Sequence, residues 1–384
     1  MARRGRAEAD RSPTTGPPAR LGPDISAAAE GGQQAPGWLR LGRDGRLTAY
    51  ASCAEGVVRW TESAPGSDRW QGPELFPVER WSGRFTLAQH TDGFVWFAAA
   101  RQRDGAAPGG QELVIAAQYQ SGRPLGDWRT VGDPFPDHGS EAPAPLHPVV
   151  LCDGAGSLHV VASRFGAGVR ARTQYADGRW GEWADLQGQW VRGAVVPLVT
   201  SQGCAEFLAP FRGGASYWGQ DVPGRALRWR GRMEADAVEG TYSCFETGPG
   251  SATYFWRHPS DGSVVACRPK APAGMGPQLM PLGGAGGTGP VGVVRTRING
   301  YDCTVLLQRG AGGHPEIAAY PTEGEHYGAW WAPVGDPCAG LPAVALDARG
   351  SVAIAMIGTD GTLRTARQDL SEAGLAFGAW QTVG

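Results

Sequence analysis

Short apolar runs separated by turn dipeptides fill the chain from residue 37 onward. The stretch "DARGSVAIAMIGTDGTLRTARQD", residues 347–369, holds two of them, introduced by Arg349-Gly350 and Asp360-Gly361, and the second alternates apolar with polar positions. That two-residue period predicts β-strands. The same unit recurs. Turn dipeptides ahead of a strand-like run stand at Asp44-Gly45, Asp92-Gly93, Ala155-Gly156, Gln202-Gly203, Pro249-Gly250, Asn299-Gly300 and Arg349-Gly350. Their glycines are spaced by 48, 63, 47, 47, 50 and 50 residues. A near-constant period of this length is the mark of a repeat architecture. Within a unit the order is four strand-like segments, clearest in the third: "HPVVLC", "SLHVVAS", "GVRARTQ" and "GRWGEWADL".

Four short strands make an antiparallel sheet that cannot cover both of its own faces, so seven such sheets are expected to stack radially. The predicted fold is all-β: a seven-bladed β-propeller of four-stranded antiparallel blades, residues 37–384, preceded by a disordered N-terminal tail. The blades are placed at about 38–82, 83–143, 144–191, 192–236, 237–286, 287–338 and 339–384. Two β-sandwiches would not give seven equal periods. A parallel β-helix would need shorter ones. The ring closes either by ordinary packing of the last blade on the first or by a strand exchanged between the termini.

Composition agrees with this. Sixty glycines and thirty prolines exclude long helices, and fifteen tryptophans are too many for a disordered chain. Residues 1–36, rich in Pro, Gly and Ala and without periodicity, are read as a flexible tail. With 35 basic against 37 acidic residues there is no basic stripe for a phosphate backbone, and nucleic acid is not an expected partner. Seven dispersed cysteines without a C-x-x-C pair suggest buried thiols rather than a metal or redox site. No segment reaches the roughly 18 apolar residues of a membrane span, and the N-terminus lacks the apolar core of a secretory signal. A cytoplasmic location is expected, although export inside a larger assembly leaves the same pattern.

The fourth segment of most units carries a tryptophan near its start: Trp70, Trp128, Trp183, Trp229, Trp330 or Trp331, and Trp380. The motifs Asp44-Gly45-Arg46-Leu47, Asp360-Gly361-Thr362-Leu363 and Gly178-Arg179-Trp180-Gly181-Glu182-Trp183 resemble those of the bacterial lectin-like propellers typified by the Photorhabdus luminescens lectin, and more loosely tachylectin-type propellers. The resemblance implies a seven-bladed propeller binding fucose-like or methylated sugars between neighbouring blades. The aromatic-glutamine pair of that family's third strand is matched in part by Arg59-Trp60-Thr61, Thr173-Gln174 and Arg367-Gln368. Units four to six have "SYWGQD", "VVACRP" and "IAAYPT" there.

A saccharide needs an aromatic face for the apolar side of its ring and planar polar groups for its hydroxyls. Trp60, Gln71, Trp128, Gln174, Trp183, Gln368 and Trp380 supply those types at comparable places in their units and are the candidate ligand-binding residues. A repeated tryptophan also serves to pack blade on blade. "GAGGTG", Gly284 to Gly289, satisfies a dinucleotide pattern but is followed by a strand, and reads as an interblade linker. No P-loop, H-E-x-x-H pair or G-x-S-x-G elbow occurs. His138 and His147 flank Glu141, for which a solvated loop is the simpler reading than a metal or acid–base site. No cofactor, metal or catalytic residue is expected. The function read from the sequence is non-catalytic binding of a carbohydrate or glycoconjugate. The alternatives are a scaffold docking a protein through the tail or a propeller face, and an enzyme with carboxylates in the central channel.

Overall fold

A computed structural model of the chain describes residues 37–104, 110–136, 144–188, 190–269 and 278–383. The tail expected over residues 1–36, and His138 with Glu141, lie outside them. The described residues form 28 strands in seven four-stranded antiparallel sheets, each with its strands in chain order. These are the seven blades. Blade 1 consists of Leu39–Leu41, Leu47–Ser52, Gly56–Glu62 and Trp70–Pro77, and blade 7 of Ala343–Leu346, Val352–Ile357, Leu363–Arg367 and Gln381–Val383. Among the described residues the one helical turn is the 3-10 turn Glu325–Tyr327, and no helix is long and apolar enough to cross a membrane.

The seven repeat glycines all sit in the turn between the first and second strands of their blades. Each has a positive φ, from 67° at Gly250 to 88° at Gly93. A side chain at that left-handed position is strained, so glycine recurs there. In blade 3 the turn is closed by the Gly156 amide donating to the Asp153 carbonyl at 3.0 Å and the Asp153 amide donating to the Ser157 carbonyl at 3.0 Å.

The second strands are largely buried, apart from Tyr301 and Asp302 at the start of the one in blade 6. Leu158–Arg164 and Val352–Ile357 have no residue open to solvent. Covered on both faces by neighbouring blades, they read as continuous apolar runs, whereas strands with a solvent face alternate. The core is accordingly divided into layers between blades. One such layer joins Trp38, Leu39, Ala49 and Trp60 of blade 1 to Ala343, Ala355 and Ile357 of blade 7. From blade 2 round to blade 1 the first strands of successive blades touch, which places them innermost.

Closure is by ordinary packing, since blades 1 and 7 each contain four consecutive strands. The Trp38 indole Nε1 donates to the Leu341 carbonyl at 3.1 Å. At the same seam Arg367 is ion-paired with Glu62, which is fully buried, and lies 3.3 Å from the Asp347 carboxylate.

Candidate functional site

The residues singled out from the sequence fall into two structural roles. Trp60 is 2 % exposed and belongs to the layer between blades 7 and 1, so its ring is covered by protein. Trp128 meets Phe97 edge-on at 6.5 Å. Trp183 lies beside Gly132 of the preceding blade. Trp380 lies over Gly335 of the preceding blade, where a β-carbon would fall 2.5 Å from the ring. Trp331 repeats this on Gly284 and donates from Nε1 to the Leu282 carbonyl at 2.8 Å, while its neighbour Trp330 is 87 % exposed.

The glutamines follow a different rule. Gln368 is 9 % exposed, accepts from the Val352 amide at 3.2 Å and donates to the Gly374 carbonyl at 3.1 Å. The same link recurs in other blades: Gln220 accepts from the Ala205 amide at 2.8 Å, and Glu62 from the Leu47 amide at 2.8 Å. A Glu or Gln at this place therefore ties the start of the second strand to the end of the third. Gln174 stands at the matching ladder position opposite Leu158 and donates to the Gly178 carbonyl at 2.9 Å. Gln71 is exposed on the outer strand of blade 1, paired with Thr61.

The rim carrying the first turns of the blades is where the seams differ. Between blades 1 and 2 the place is filled by Arg59, 2 % exposed, ion-paired with Glu74 and donating to the Arg123 carbonyl. Between blades 3 and 4, His159 contacts the Asp153 carboxylate at 2.8 Å and the Thr173 hydroxyl at 2.9 Å. Arg268 reaches Glu325 at 3.0 Å between blades 5 and 6, and Arg367 reaches Glu62 between blades 7 and 1.

Between blades 4 and 5 the same place is open. Blade 4 comprises Val196–Val199, Ala205–Phe211, Gly214–Gly219 and Arg228–Glu234, and blade 5 comprises Ser243–Gly248, Ser251–Arg257, Val264–Arg268 and Gln278–Gly283. A cavity of about 390 Å³ lies against Glu206, Tyr217, Gln220, Asp221 and Arg230 on one side and Gly250, Ala252, Tyr254 and Pro269 on the other. Thr200, Gln202 and Cys204 form its turn-side edge. Two departures from the repeat shape the space. Tyr217 occupies the ladder position held by Arg59 in blade 1, and Gly219 stands opposite Glu206. A β-carbon on Gly219 would come within 3.0 Å of Glu206 Cγ, so glycine leaves that side chain its room.

Backbone irregularity supplies the cation. The ladder between the third and outer strands of blade 4 pairs Tyr217 with Gly231 and Trp218 with Trp229, so Arg230 is the extra residue of a β-bulge. Bulges re-aim side chains next to sites, and Arg230 here borders the cavity, 2.7 Å from Asp221. Burial pushes the Cys244 thiol up to about 12, and the nearby Glu206 charge adds to the effect. Burial raises the Tyr254 phenol too, helped by Cys244 and Glu206, so it stays a neutral hydroxyl.

The loop bearing Gln220 and Asp221 is held from blade 3. The Asp153 carboxylate accepts from Gln220 Nε2 at 2.9 Å and from the Gly224 amide at 2.9 Å. Burial alone would raise the Asp153 carboxyl, but hydrogen bonds from His159, Gln220, Ser157 and Gly224 outweigh it and hold it far below the usual carboxylate range.

None of the seven sequence-derived candidates lines this cavity. Glu206, Tyr217 and Arg230 were missed because each is unusual for its repeat position. The signal available was the departure itself, "SYWGQD" in place of the repeat's usual third-strand ending.

No protein-family model matches the chain, and no curated protein matches it. Among solved structures it is similar to the BP39L lectin from Burkholderia pseudomallei, with 13% identity, a TM-score of 0.64, and coverage of 90% of this chain and 97% of that one. It is also similar to the Hadza microbial sialidase Hz136, with 12% identity, a TM-score of 0.50, and coverage of 82% and 71%. At these identities the likeness is one of fold.

Proposed function

We propose that the chain is a non-catalytic, lectin-like propeller whose saccharide site is the cleft between blades 4 and 5. The observation that carries this reading is the convergence of a carboxylate, a guanidinium and two tyrosines on a cavity of about 390 Å³, a size in the range of small-ligand sites. Glu206 accepts from vicinal hydroxyls, Arg230 donates to ring or hydroxyl oxygens, and the tyrosines with Ala252 and Pro269 give the ring apolar surface. Binding without turnover is favoured because Asp221, the second carboxylate, is taken up by an ion pair with Arg230 at 2.7 Å. The lectin among the similar folds and the resemblance to the Photorhabdus luminescens lectin-like propellers support the same reading.

A glycan array read with the wild type, Glu206→Gln and Arg230→Ala tests it. Selective binding lost in both variants is expected. Binding that survives them but falls in Trp183→Ala would move the site to the tryptophan positions. A docking scaffold is the competing reading, favoured by Trp330 at 87 % and Tyr327 at 69 % exposure on blade 6. It requires a silent array and a partner released by Trp330→Ala.

A further inference from the structure

The outer strands of the blades are unlike in charge. The one in blade 4, Arg228–Glu234, holds Arg228, Arg230 and Arg232, and Arg225 stands in the turn before it, whereas the outer strands of the other six blades hold one arginine among them, Arg129 of blade 2. All four arginines of blade 4 are exposed. Arg230 has Asp221, while Arg225, Arg228 and Arg232 make no ion pair among the described residues. From Asp221 to Glu234 there are four arginines against two acids, a local excess that the whole-chain balance of 35 to 37 conceals.

The same strand carries an aromatic ring whose packing task has passed to another residue. In blades 3, 6 and 7 a tryptophan of the outer segment meets a glycine of the preceding blade: Trp183 at Gly132, Trp331 at Gly284 and Trp380 at Gly335. In blade 4 the glycine at the matching place, Gly188, meets Trp218 of the third strand, which is buried and stacked on Phe207. Trp229, opposite Trp218 in the ladder, is left 60 % exposed among the arginines.

Guanidinium groups pair with carboxylate or sulfate, and an indole face takes the apolar side of a sugar ring. The strand forms the edge of its sheet and so runs open along the rim. It fits a linear polymer whose units carry both a ring and an anionic group. Arg230 borders the cleft between blades 4 and 5 as well, which makes strand and cleft one continuous surface. That continuity, and a net charge of -2 that gives the whole chain no long-range pull on nucleic acid, favour a carbohydrate.

We infer that the outer strand of blade 4 binds an anionic polysaccharide, with its carboxylate or sulfate groups on Arg225, Arg228 and Arg232 and one sugar ring on Trp229. The choice of a carbohydrate rests on the saccharide reading of the adjoining cleft, but the contacts themselves do not involve Glu206.

Binding of the full chain to surfaces coated with polygalacturonate, dextran sulfate or neutral dextran tests this and separates carboxylate from sulfate recognition. Binding to at least one polyanion, and none to dextran, is expected. Arg228→Ser/Arg232→Ser should weaken it by about tenfold or more and roughly halve its salt dependence, at an unchanged thermal midpoint, and Trp229→Ala should weaken it as well. Arg179→Ser/Arg349→Ser, at exposed arginines of blades 3 and 7, should leave it unaltered. Three results overturn the inference and leave the cleft reading standing: no binding to either polyanion by a chain that binds its array glycan, equal loss in the two double variants, or displacement of the polysaccharide by duplex DNA at a lower concentration of charge. A silent array together with arginine-dependent polyanion binding overturns the cleft reading and supports the strand; silence in both overturns both.

Discussion

Glu206 and Gly219 face each other across one ladder position, and the cleft depends on that pairing. Hydrogen bonds to a charged group contribute roughly 1.5–3 kcal/mol, so Glu206→Gln is expected to weaken glycan binding by about 10- to 100-fold while leaving the thermal midpoint nearly unchanged. Gly219→Val puts a branched side chain where a β-carbon already comes within 3.0 Å of Glu206 Cγ, and should abolish binding by displacing the carboxylate. Titration of both variants against the same glycan separates lost charge from lost space. Asp153 belongs to the same scale. Its depressed carboxyl contributes stability that is present above the unfolded value of about 3.9 and is lost as pH falls toward its much lower folded value. Thermal unfolding followed from pH 6 down to about 2 should therefore show an acid-induced loss in the wild type that is smaller in Asp153→Asn.

At the scale of the strand, the repeated glutamine and the repeated tryptophan are ways of fastening one element to the next. Replacing Gln368 by Leu leaves the Val352 amide without its acceptor in a buried place, a cost of about 1–3 kcal/mol measurable by urea unfolding. Gly335→Ala adds a methyl group 2.5 Å from the Trp380 ring at a residue with φ of 84°, and should destabilise by about 1–3 kcal/mol for steric and backbone reasons together. These elements were legible in the sequence because they repeat. A turn glycine every fifty residues or so, and a tryptophan at the start of the outer segment, reflect demands that every blade makes equally. The cleft was not legible for the converse reason. Bulges recur on this ladder in blades 1, 2 and 5, so nothing but the arginine itself marks the one that brings Arg230 to the cavity, and Glu206 gains its room from a glycine that is one of sixty. Periodicity identifies what all units share, whereas this site rests on what one unit does differently.

For the whole molecule, the ring closes through a seam with the same construction as the others, reinforced by Arg367 between Glu62 and Asp347. Glu62→Ala leaves Arg367 with one carboxylate and the Leu47 amide without an acceptor. A loss of about 3 kcal/mol is expected, read as a lower denaturant midpoint. The seams are alike in architecture and unlike in filling, since arginines, a histidine and their carboxylate partners occupy in four of them the place that stays open between blades 4 and 5. The proposed lectin is expected to hold one ligand, in that open cleft, despite its seven repeats. Isothermal titration of the purified chain with the glycan selected on the array measures this directly. One glycan per chain, bound about 10- to 100-fold more weakly by Glu206→Gln, is the predicted result; several equivalent sites per chain, or an unaltered isotherm in that variant, would contradict it.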